Sequence, residues 1–174
     1  GGSCFPKDTS ALARIGQDHS VPMRITETVM EVNDAIKRRM IDKVVALCGG
    51  SVNGKTIAVL GVTFNPNTDD MRAAPSLTIV PALVGAGAKV NVVAPQGRRE
   101  GEALLPGVAW YDDAYTAAAE ADAVVILTEW NEFRALDLIR LRQTMRAPKM
   151  ADLRNIYAPA DVAEAGFEYV SIGR

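Results

Sequence analysis

The chain has 174 residues, with 19 basic and 21 acidic side chains and a net charge of −2 at pH 7. Its 48% hydrophobic and 23% charged content is that of an ordinary globular protein. This length suits one domain with an appendage and excludes two large ones. The balanced charge offers no nucleic-acid-binding surface, and no apolar run approaches the roughly 20 residues of a membrane span.

The first residues, Gly1-Gly2-Ser3-Cys4-Phe5-Pro6, lack the basic start and apolar core of a signal peptide, so a cytoplasmic setting is expected. They also lack an initiator Met, and the chain reads as processed or cut from something longer. Cys4 and Cys48 make neither a disulfide framework nor a CxxC pair. With His19 the single histidine, neither a metal site nor a Ser-His-Asp triad is expected.

In chain order, residues 1–21 read as loop, broken by Gly1, Gly2, Pro6, Asp8, Gly16 and Pro22. Pro22 fits the first turn of a helix. From Ile25 the apolar residues Val29, Val32, Ile36, Met40, Val44 and Leu47 recur at steps of three and four, a helical stripe. Gly49-Gly50 is a natural stop. A helix of roughly 25 residues would be about 38 Å long, enough to cross between domains or subunits. Strands are expected at 55–62, 89–94, 108–111, 123–128, 149–152 and 168–171. Helices are expected at 75–86, 112–119, 129–133 and 137–145. Apolar strands alternating with helices predict an α/β fold with a Rossmann-like parallel sheet covered on both faces.

A dinucleotide fingerprint GxGxxG should follow the first strand. That place reads Gly61-Val62-Thr63-Phe64-Asn65-Pro66, with one glycine of three. Gly85-Ala86-Gly87 lies between a helix and a strand, the wrong context. Ligands of such sheets gather at the carboxyl ends of the strands, here 63–67, 94–97, 128–130 and 154–155.

Three segments carry chemistry. Around Cys4, paired glycines let backbone approach a ligand, Lys7 favours a thiolate, and Asp8 can hold a proton or a water. A plain surface loop with an incidental Cys is the equal alternative. The run from Phe64 to Arg72 precedes a helix, and Arg72 offers a planar fork for phosphate. A solvated turn is the usual identity of such a polar run. In Asp152-Leu153-Arg154-Asn155, Arg154 either reaches a nucleotide or pairs with Asp152. Cys48 reads as an inert small hydrophobe, Trp110 and Trp130 as packing, and Arg98-Arg99 as a solvated turn.

Read together, these motifs resemble a family. The segment Gly1 to Leu12 resembles the catalytic-cysteine segment of UDP-glucose 6-dehydrogenases, within the nucleotide-sugar dehydrogenases. Phe64 to Ser76 resembles that family's Phe-Lys-Pro-Asn-Thr-Asp-Asp-x-Arg-x-Ala-Pro-Ser loop, and Asp152 to Tyr157 with 166–174 resembles its carboxyl end. The resemblance implies a catalytic-cysteine loop at 1–21, a long connecting helix at 22–50 and a UDP-binding domain at 51–174. The amino-terminal NAD-binding domain would be absent from the chain. It further implies UDP-glucose as substrate, NAD as cofactor, and a homodimer formed through the long helix. By resemblance, Cys4 is the nucleophile and Asp8 assists proton transfer. Lys7 and Arg72 approach NAD, and Gly1, Phe64, Asn65 and Arg154 contact the UDP-sugar. The chain alone would then be inactive. Asn65 stands where the family usually has Lys, and Ala94-Pro95 where it often has Asp-Pro. Losing the cation weakens a charge-assisted contact. A related nucleotide-sugar dehydrogenase and a non-enzymatic nucleotide-sugar-binding module are the alternatives.

Overall fold

The computed structural model describes residues 4–173. Helix α1 (Cys4–Asp18) turns back through residues 19–23 into α2 (Arg24–Leu47). An alternating body follows: β1 (Thr56–Leu60), α3 (Ser76–Gly85), β2 (Lys89–Val93), α4 (Arg98–Leu104), β3 (Ala109–Tyr111), α5 (Ala114–Ala118) and β4 (Ala123–Ile126). It continues with α6 (Asn131–Arg134), α7 (Leu138–Thr144), β5 (Lys149–Asp152), α8 (Pro159–Glu164) and β6 (Glu168–Ser171).

The six strands form one sheet in the order β3-β2-β1-β4-β5-β6, and all its pairings are parallel. This is the doubly wound order. The chain winds outward from β1 to β3, then returns to lay β4 against the free side of β1. Alternation within each strand builds two core layers. Ile57, Val59, Val90, Val92 and Val125 pack with Met40 and Val44 of α2 and Ile79 and Leu83 of α3. Ala58, Leu60, Val124, Ile126 and Met150 pack with Ala117 of α5, Phe133 of α6, Leu141 of α7 and Val162 of α8. The apolar strands are buried on both faces, as the sequence pattern requires.

Residues 1–21, read as loop, are corrected: residues 4–18 are helical. Pro6 lies in the first described turn of α1, where a missing N–H costs little. The Thr9 and Ser10 hydroxyls each donate to the carbonyl of Pro6, at 3.2 and 2.6 Å. Gly16 does not break α1; it lets α2 come close. A Cβ there would lie 2.5 Å from the Val21 carbonyl oxygen and 2.6 Å from Met23 Cγ.

The long helix is present, though Pro22 precedes it. It closes with the Gly50 N–H donating to Val45 O and the Gly49 N–H to Ala46 O, both at 2.9 Å, a Schellman ending. Its stripe divides in two. Met40, Val44 and Leu47 are buried in the body, each contributing about 1.5–3 kcal/mol. Ile25, Val29 and Val32 are exposed, as are Phe5, Leu12 and Ile15 of α1. Arg98-Arg99, read as a turn, opens α4, where Arg98 pairs with Glu102 and with Asp112, each at 3.0 Å. Helix α8 was not anticipated either. No helix among the described residues is long and apolar enough to cross a membrane.

Candidate functional site

The site grows from the point where the chain reverses direction across the sheet, at the carboxyl ends of β1 and β4. β1 leaves the sheet through Gly61, whose φ is +84°. A Cβ there would meet Thr128 Cβ at 2.5 Å, so β1 and β4 meet without a side chain between them. Two buried hydroxyls then fix the exit path. Thr128 Oγ1 donates to Thr63 O, and Ser76 Oγ donates to Val62 O at 2.5 Å. Thr63 Oγ1 donates to Asn65 O at 2.8 Å, and buried Met71 anchors the far side of the loop. The rim is therefore held by side-chain hydroxyls bonded to its backbone carbonyls.

On this rim Arg154 approaches Phe64. The guanidinium carbon lies 5.4 Å from the ring centroid. Arg154 reaches the site because β5 pairs with β4, with Asp152 opposite Ile126. Two residues beyond Asp152 and three beyond Ile126, Arg154 Nε donates to Glu129 Oε2, and Nη2 forms an ion pair with the same oxygen. Burial pushes the Glu129 carboxyl up, but the hydrogen bond and charge of Arg154 outweigh it and hold it below the usual 4.5.

Asp152 does something else. It is wholly buried, and it accepts the Arg154 backbone N–H at 3.1 Å, the Tyr157 N–H at 3.0 Å and the Tyr169 hydroxyl at 3.0 Å. The two alternatives for Arg154 thus divide: its backbone is tied to Asp152, and its side chain pairs with Glu129, in the loop that follows β4. Asn155 reciprocally bonds the backbone of Ile172, at 3.0 and 3.1 Å, and ties this turn to the end of β6. Burial and the Asp152 charge push the Tyr157 hydroxyl well above its ordinary range.

The second group lies where α1 meets the loop before α3. Pro6, Lys7 and Ser10 face Arg72 and Ala73 across a cleft of about 330 Å³. Asp70 holds Arg72 in a fork, Nε to Oδ1 at 3.0 Å and Nη2 to Oδ2 at 2.9 Å. This hydrogen bond raises the Arg72 pKa above its ordinary value, and Cys4 is close enough to contribute. Cys4 is exposed, and Asp8 follows it by four residues, so both lie on one side of α1. Lys7 and Asp8 are exposed and 3.6 Å apart. Asn65 is exposed on the rim. Gly1, expected at the sugar, lies outside the described residues.

These residues do not fit a whole dinucleotide. A pyrophosphate needs a tight glycine turn onto a helix N-terminus, whereas here the chain runs from Gly61 to Pro75 before α3 opens. They do fit the edge of one, since Lys7 and Arg72 present two cations to the same cleft. Glu129, Thr128 and Asp152 were not singled out as site residues. The signal available for Glu129 was a carboxylate just past an apolar strand at the rim.

Comparison with known proteins agrees with this architecture. The model of the UDP-glucose/GDP-mannose dehydrogenase family, UDP binding domain, matches residues 58–159, and that of the same family's central domain matches residues 1–35. A UDP-glucose 6-dehydrogenase of Rhizobium meliloti (strain 1021) is 56% identical over 174 residues, covering 100% of this chain and 40% of that protein. The UDP-glucose 6-dehydrogenase TuaD of Bacillus subtilis (strain 168) is 41% identical, covering 100% of this chain and 38% of that protein. Among solved structures, a UDP-glucose dehydrogenase of Pyrobaculum islandicum superposes with a TM-score of 0.81 at 30% identity, over 97% of this chain and 37% of that one. This chain thus spans about 40% of the length of the curated relatives it matches. On the match to residues 58–159 and the shared fold, the chain belongs to the UDP-glucose/GDP-mannose dehydrogenase family.

Proposed function

We propose that this chain is the carboxyl-terminal, UDP-sugar-binding portion of an NAD-dependent UDP-glucose 6-dehydrogenase. The observation that carries the reading is the sheet rim, where Arg154 is held against Phe64 at the carboxyl ends of β5 and β1, the two strands that flank β4. A cation beside an aromatic face there suits a nucleoside diphosphate. Phe64, Asn65, Arg154 and Gly1 contact the UDP-sugar, and Lys7 and Arg72 hold the edge of NAD.

Two molecules of NAD+, bound in turn with Lys7 and Arg72 at their edge, would supply the oxidising power for the two oxidations of the sugar carbon C6. The chain's own residues do the rest. Cys4 Sγ bonds to the aldehyde carbon and retains that carbon as a thioester after the second oxidation. Asp8, on the same side of α1, takes a proton from the water that adds to the thioester. The C–S bond then breaks, the carboxylate leaves, and the Cys4 thiol is restored. In the same reading the exposed stripe of α2 forms a homodimer contact, and the enzyme is cytoplasmic.

Two measurements test this. Titration calorimetry with UDP should detect binding to the 174-residue chain, and silence at millimolar UDP would count against the reading. The chain alone should form no NADH from UDP-glucose. Fused behind the amino-terminal domain of the Rhizobium meliloti relative, it should oxidise UDP-glucose to UDP-glucuronate. Steady turnover by the Cys4→Ser form of that fusion would remove Cys4 as nucleophile.

A further inference from the structure

We propose that Glu129 is a positioning residue that holds Arg154 so that one free edge of its guanidinium faces an anionic ligand, a role that rests on the UDP-binding reading above. A guanidinium has two edges that can each engage an oxyanion, the Nε/Nη2 side and the Nη1/Nη2 end. Glu129 Oε2 occupies the first, accepting a hydrogen bond from Nε and pairing with the charge at Nη2. Among the described residues none accepts a hydrogen bond from Nη1, so the end edge is left for a ligand. Two further contacts complete the orientation. The Phe64 ring lies 5.4 Å from the guanidinium carbon, and Asp152 Oδ1 holds the Arg154 backbone N–H at 3.1 Å.

One edge, one face and the base of the side chain are thus settled before a ligand arrives. A free arginine gives up much rotamer freedom on binding, and a prepositioned one has already lost it. The pair is only partly sheltered, with side-chain exposures of 22% for Arg154 and 24% for Glu129, so a ligand can reach the free edge. Glu129 also carries a negative charge close to where the diphosphate would bind. Its two influences on affinity have opposite signs: repulsion weakens binding and orientation strengthens it. The proposal is that orientation dominates.

The test is UDP calorimetry on the 174-residue chain and its Glu129→Gln, Glu129→Asp, Glu129→Ala, Arg154→Ala and Glu129→Ala/Arg154→Ala variants, each checked for native circular dichroism. Glu129→Gln keeps an acceptor oxygen and should stay within about threefold of the parent, while Glu129→Ala should bind about tenfold more weakly. In the Arg154→Ala background, Glu129→Ala should add no further loss, because Glu129 acts through Arg154. A general structural role would not produce that coupling. Should Glu129→Ala fail to fold, Glu129→Asp carries the test, since a shorter carboxylate withdraws the oxygen and should weaken binding severalfold. Affinity unchanged or tightened by removing the carboxylate overturns the proposal, as does an added loss in the Arg154→Ala background. Absence of UDP binding by the unsubstituted chain refutes the nucleotide reading and this role with it. Binding that is undiminished in the variants refutes this role alone.

Discussion

Replacing Gly61 by Ala puts the β1–β4 junction under two separate stresses. The residue sits at φ +84°, where an L side chain carries about 1–2 kcal/mol of backbone strain. The new methyl would lie 2.5 Å from Thr128 Cβ, 2.7 Å from its Oγ1 and 3.1 Å from its backbone N. Because two of those atoms belong to backbone or to its first side-chain carbon, the overlap cannot be relieved by a rotamer change, and about 1–3 kcal/mol is the usual cost of such overpacking. The total is about 2–5 kcal/mol. With a urea m-value of about 2 kcal/mol/M, the unfolding midpoint should fall by about 1–2.5 M. UDP affinity should fall as well, because a displaced Thr128 no longer donates to Thr63 O and frees the path to Phe64. In a Thr128→Gly background the added cost of Gly61→Ala should shrink toward the strain alone, about 1–2 kcal/mol. A Gly61→Ala midpoint within about 0.3 M of the parent would refute the close approach as the reason for this glycine.

Further outcomes are expected. Brief alkylation of the native chain should label exposed Cys4 and spare Cys48, which is 3% exposed and whose thiol burial pushes above its ordinary 9.0; equal labelling of both would contradict that placement. Asp152→Asn should cost about 1–3 kcal/mol in urea unfolding, since the two buried oxygens together accept two N–H groups and a hydroxyl and one of them becomes a donor, and a neutral outcome would mean those bonds are dispensable. Glu129 is held below its ordinary 4.5, so its stabilisation is fully present above that pH and lost as the pH falls through the lower folded value. The midpoint difference between the parent and Glu129→Gln should therefore vanish in acid, and a difference constant with pH would exclude this linkage.

The parallel sheet was legible because both its faces are buried, which leaves continuous apolar runs such as Ala123 to Leu127 that no other element explains. Helix α1 was not legible. Gly16 and Pro6 read as breakers locally, and what makes them acceptable is tertiary: the approach of Val21 and Met23 for one, a place in the first turn for the other. Arg154 was found from its position past a strand, but its partner was not. Glu129 precedes it by 25 residues, and the register between β4 and β5 brings the two together. A local motif cannot carry that information.

The turn between α1 and α2 has a consequence for the Cys4 end of α1. Val21 N–H donates to Gly16 O at 2.8 Å, and Gly16 packs against Met23, so the turn locks the rotational phase of α1 against α2. Deleting one residue there would turn α1 by about 100° and slide it by about 1.5 Å. Cys4 and Lys7 would then leave the side that faces Arg72, though every residue of the cleft would still be present. The turn, at the far end of α1 from Cys4, works like the bitting of a key: it touches no residue of the cleft, yet it decides which face of α1 is turned toward Arg72.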